Sequence, residues 1–103
     1  MKHSINGKTF DEIFGQRGEE VKVEDMVSGE IYLWDDSASP VLSVFNKMEN
    51  NVYHTKFDMA NDGSTFPGWP WFVGYKMECA EFFTATPDQI SLLNSCMNES
   101  TNN

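Results

Sequence analysis

Between residues 20 and 84 the apolar residues of this chain fall in short β-rich runs, several of period two, rather than at helical spacing. Such alternation is what a strand shows when one of its faces is buried. Residues 20–24 alternate around Val21 and Val23, and Ile31, Tyr32, Leu33 and Trp34 follow a turn at Ser28-Gly29. Residues 41–48 and 52–57 are two β-rich runs split by Glu49-Asn50-Asn51, a hairpin turn. Residues 71–84 form a longer aromatic run with Val73, Tyr75, Met77 and Cys79 on one face. Its phase slips near Ala80-Glu81, which predicts a bulge or a bend.

Two short helices flank these strands. Thr9-Phe10-Asp11-Glu12 fits a capping box, in which a hydroxyl and a Glu three residues later each satisfy a free backbone donor. Phe10, Ile13 and Phe14 then share a face, and Gly15 and Gly18 limit the helix to about two turns. Thr86-Pro87-Asp88-Gln89 supplies a second N-cap with Pro at the first helical position, an acid at the positive helix end and Gln at the box position. Ile90, Leu93 and Met97 continue along one face, with Leu92 beside them.

The expected fold is therefore mainly β with short flanking helices (α+β). Two architectures fit: an SH3-like, partly open barrel, or a small bent antiparallel sheet, in either case with the C-terminal helix packed on it. Residues 1–97 form one domain in this reading, and the polar stretch 98–103 is a disordered tail.

The charge balance narrows the function. Sixteen Asp and Glu face seven Lys and Arg, a net charge of −9, and Arg17 is the lone arginine. Such a surface repels phosphate, so neither nucleic acid nor an anionic membrane is an expected partner. Aromatics make up 14% of the residues, too many for a disordered acidic chain. No apolar run approaches the ~20 residues of a membrane span, and no signal peptide is read at Met1-Lys2-His3-Ser4. The chain reads as cytoplasmic, with Cys79 and Cys96 as free buried thiols.

Catalytic and metal motifs are weak. Asp58-Met59-Ala60-Asn61-Asp62-Gly63 resembles the start of a calcium loop, but its third position is Ala60 and its twelfth is Trp69, so it reads as a turn. Cys79, Cys96, His3 and His54 lack zinc-finger spacing. Cys79 and His54 supply the residue types of a nucleophilic pair without a nucleophile elbow, and Cys79 on the inward phase of its run reads as core. No phosphate-binding glycine motif or HExxH occurs, and no cofactor is implied.

Two features suit binding instead. Phe66-Pro67-Gly68-Trp69-Pro70-Trp71-Phe72 carries four aromatics on a loop stiffened by two prolines, which rule out a helix or a central strand. Exposed Trp on a pre-ordered loop is hot-spot material, so Phe66, Trp69 and Trp71 are candidate partner contacts; the other reading is a lid in which Trp69 and Trp71 close one end of the barrel. The second feature is acidic. Glu19, Glu20, Glu24 and Asp25 precede the second strand, Glu30 follows, and Asp35 and Asp36 lie at its far end. On one face they would mimic a phosphate ladder; scattered, they are a solvated surface.

Residues 75–93, with their strand followed by Ala85-Thr86-Pro87 and Ile90, resemble the closing segment of small acidic accessory proteins of tailed bacteriophages. The strand opening Gly29-Glu30-Ile31-Tyr32 is similar to the same group. The resemblance implies a compact, non-enzymatic phage protein, cytoplasmic in the host cell, that binds and blocks a host enzyme or defence complex with a basic surface, alone or as a homo-oligomer. The Trp-Pro-Trp loop departs from that group. Three other readings stand beside it: a protein that sequesters a nucleotide-like or sugar-like ligand beside Trp34, Trp69 or Trp71, an enzyme using Cys79 or His54, and a virion structural protein.

Overall fold

The computed structural model describes residues 4–5, 7–35, 40–50, 52–68, 70–72 and 81–101. It opens with a two-stranded hairpin, β1 (Ser4–Ile5) and β2 (Lys8–Thr9), and a one-turn helix α1 (Phe10–Phe14). The capping box forms at its start, with the Thr9 amide donating to Glu12 Oε1 at 2.8 Å and the Glu12 amide to Thr9 Oγ1 at 3.2 Å. Then follow β3 (Glu20–Val21), a 3-10 helix (Val23–Asp25), β4 (Ile31–Asp35), β5 (Val41–Glu49) and β6 (Val52–Ala60). The chain continues through β7 (Thr65–Phe66), β8 (Pro70–Phe72), β9 (Glu81–Thr84) and α2 (Pro87–Thr101).

One antiparallel sheet dominates. Six strands lie in the order β3-β9-β4-β5-β6-β7, and β8 also pairs with β6. The sheet is not closed among the described residues, so the bent open sheet, not a barrel, is the architecture. Alternation sends Leu33, Leu42, Val44 and Met59 to one face, where Ile13 and Phe14 of α1 and Leu92 and Leu93 of α2 cover them. Each such buried side chain contributes about 2 kcal/mol. Tyr32, Trp34, Phe45, Tyr53 and Phe82 form an aromatic core on the other face, closed at one side by Met26.

That second core measures the bend. Three steps separate β6 from β9, roughly 14 Å in a flat sheet, yet the rings of Tyr53 and Phe82 lie with centroids 5.1 Å apart. The sheet curls around its aromatic face.

The two helices meet at a polar junction. The second capping box forms, Thr86 N to Gln89 Oε1 at 2.9 Å and Gln89 N to Thr86 Oγ1 at 3.3 Å. Gln89 is fully buried, and its Nε2 donates to the carbonyls of Ile13 and Gln16, both at 2.9 Å. Gln16 in turn donates to Asp88, which also pairs with Lys8.

Several expectations need correction. The strand read at residues 20–24 stops at Val21, because the chain turns into the 3-10 helix that brings Val23 and Met26 against the aromatic core. The run 71–84 is not one strand: β8 pairs with β6 while β9 pairs with β3 and β4, on the far side of β5. Val73, Tyr75, Met77, Cys79 and the slip at Ala80 lie outside the described residues. Residues 98–101, expected in a disordered tail, continue α2.

Candidate functional site

The segment expected as a free aromatic loop is instead laid along β6. Phe66 of β7 stands opposite Asp58, and Pro70 of β8 stands opposite His54, so both short strands keep one register on either side of a break. An edge position is where a sheet tolerates proline. The break is held close: Gly68 has φ +132°, and a Cβ there would meet the carbonyl oxygens of Thr55 and Lys56 at 3.1 and 3.2 Å. Phe66 is half-buried, Trp71 is backbone-paired with Tyr53, and Trp69 lies outside the described residues.

Opposite that break β6 carries a bulge. Val44 pairs with Phe57 and Phe45 with Thr55, which leaves Lys56 as the extra residue. The side-chain phase therefore slips, since Tyr53 faces the aromatic core whereas Phe57 packs against the helix-side core. Lys56 and Phe57, although consecutive, both line one cavity of about 500 Å3 between the sheet and α2. Ile31 and Val44 form its floor, Thr65 and Pro67 one wall, and Asn94 and Met97 of α2 the other. A second cavity of about 390 Å3 shares Ile31 and Asn94 but is lined also by Glu30. Trp34 is not among the described residues that line either cavity.

The acids sort into two groups. Glu19, Glu20, Glu24 and Asp25 are all exposed on the β3 edge and the following 3-10 helix, and none forms an ion pair among the described residues. The backbone of the first two is fixed to β9: Glu20 pairs with Phe83, the amide of Glu19 donates to Thr84 Oγ1 and the amide of Thr84 to the carbonyl of Glu19, each at 2.9 Å. Asp35 is different. It sits on β4 opposite Glu81 and binds Arg17 through Nε at 3.1 Å and Nη2 at 2.7 Å. Arg17 also donates to the carbonyls of Phe14 and Gln16 and lies over the Phe83 ring. Asp36 lies outside the described residues.

A buried polar group on the aromatic face was not anticipated. Ser43, Tyr53 and Asp58 are fully buried; Ser43 stands opposite Asp58, and Thr55 Oγ1 donates to Asp58 Oδ2 at 2.6 Å. Burial raises the Tyr53 phenol above the ordinary tyrosine range, and the nearby Asp58 carboxyl adds to the shift. The signal for this group was Ser43, a polar residue at an inward phase of β5.

His54 is half-buried on β6, and Cys79, its candidate partner in a nucleophilic pair, lies outside the described residues. No three His, Cys, Asp or Glu among the described residues come together as metal ligands. No described helix is long and apolar enough to cross a membrane. Comparison with family models, with curated proteins and with solved structures finds no match to this chain.

Proposed function

We propose that this chain is a non-enzymatic binding protein that presents the β3 edge, through Glu19, Glu20, Glu24 and Asp25, to the basic face of a partner protein. The observation that carries the reading is the contrast in how charges are used. Lys8, Arg17 and Lys47 each form an ion pair within the chain, whereas the four edge acids are exposed and form no ion pair with any described residue. Exposed like charges held on a fixed edge raise the encounter rate with a cationic surface and make it salt-dependent. The likeness to compact acidic phage proteins gives the class of partner, a host enzyme or defence complex.

The test compares the native chain with a variant carrying Glu19→Gln, Glu20→Gln, Glu24→Gln and Asp25→Asn. Both are immobilised and exposed to bacterial lysate at low and high salt. The expected result is one protein held in near-stoichiometric amount by the native chain at low salt, released by high salt and absent from the variant. Equal capture by both forms, or none by either, overturns the reading.

A further inference from the structure

We infer that the cavity between α2 and the β6 bulge binds a small monoanion with an apolar body, a medium-chain carboxylate being the simplest such ligand. Its volume of about 500 Å3 lies within the range of ~300–1,000 Å3 usual for small-molecule sites. Ile31, Val44, Phe57 and Met97 supply an apolar lining. Lys56 is the one cation among the described lining residues, and Asn94 and Thr65 add neutral hydrogen-bonding groups.

The charge pattern selects the sign of the ligand. In a chain with sixteen acids and seven cations, no acid among the described residues lines this cavity and one lysine does. Lys56, like Lys22, forms no ion pair among the described residues, whereas Lys8, Arg17 and Lys47 do. The bulge accounts for this placement, since regular alternation would set Lys56 and Phe57 on opposite faces of the sheet and yet both line the cavity. A single ammonium suits one negative charge; a doubly charged phosphate would meet stronger repulsion from a net charge of −9 with no arginine fork to hold it. The adjoining cavity of about 390 Å3 is lined by Glu30 and is the wrong place for an anion.

The experiment titrates isotope-labelled protein with decanoate, decanol and decylamine and follows the backbone amides by NMR. Decanoate is expected to give saturable shifts at Ile31, Val44, Phe57 and Asn94, with decanol about tenfold weaker, the loss of one charge-assisted contact. Lys56→Met keeps the apolar stem and should lower decanoate affinity to that of decanol. Met97→Trp fills the cavity and should abolish both; if it fails to fold, the exposed Lys56→Met variant decides alone. Absence of saturable shifts, shifts centred elsewhere, decylamine binding as well as decanoate, or an unchanged Lys56→Met variant would each overturn the proposal. The four-acid neutral variant should still bind decanoate, so failure at this cavity and failure at the acidic edge are read separately.

Discussion

The side-chain amide of Gln89 donates to the backbone carbonyl of Ile13 at 2.9 Å, across 76 positions of sequence. The same side chain caps its own helix through Oε1 and reaches Gln16 through Nε2. One buried residue thus ties the start of α2 to the end of α1.

Gln89→Leu is expected to destabilise the fold by about 3 kcal/mol, because it strands buried carbonyls and removes a capping acceptor at once. Chemical denaturation measures it. A change below ~1 kcal/mol would show that water replaces these bonds at little cost.

Tyr53 makes a pH prediction whose sign is fixed. Its folded-state proton affinity is raised above the ordinary 10.0 by burial, with Asp58 adding to the effect and the neighbouring Ser43 hydroxyl opposing it. The unfolded chain loses the proton first, so the contribution to stability is whole below pH 10 and falls as pH rises past it, by up to about 1.4 kcal/mol per unit. In Tyr53→Phe this part of the alkaline loss should vanish. At neutral pH the same substitution should cost less than ~1 kcal/mol, since the phenol oxygen is buried without a hydrogen bond of ordinary length. Denaturant midpoints measured across alkaline pH give both results.

Gly18 permits the close approach that seats the acidic edge. A Cβ there would lie 2.2 Å from the carbonyl oxygen of Thr84 and 2.4 Å from its Oγ1. Gly18→Ala should therefore displace residues 19–21 from β9 and destabilise by about 1–3 kcal/mol. Loss of amide protection at Glu19 and Thr84 in hydrogen exchange would localise the damage.

Reversing two edge charges, Glu20→Lys with Glu24→Lys, should leave the fold intact and raise stability by about 0.5 kcal/mol, more at low salt than at high. The gain arises because both acids are exposed in a chain of net charge −9. A fall of more than ~1 kcal/mol would mean that these carboxylates hold the edge together.

Some of this architecture was legible before any fold was known, and the legible parts share a length scale. Both capping boxes join residues three apart, and the β5–β6 hairpin turns at Asn50, whose φ of 54° matches the left-handed turn that asparagine tolerates. The four edge acids were visible for a similar reason, since they crowd into one short stretch and charge seldom leaves the surface. The apolar phases of β4 and β5 predicted which side chains would be buried, although not which of the two cores would receive them.

Everything that depended on choosing a distant partner was decided by tertiary structure. The aromatic segment carries the prolines of a loop, yet β6 offers it a free edge that needs few donors, so it lies there as two short strands. Residues read as one run are shared between β6 and the β4 side because the curled sheet presents edges to both. Lys56 looks in sequence like an ordinary alternating strand residue; the bulge makes it and its neighbour Phe57 line the same cavity. Alternation sets which residues share a face, but a one-residue slip exchanges the faces, and pairing energies between strands far apart in the chain decide where that slip falls.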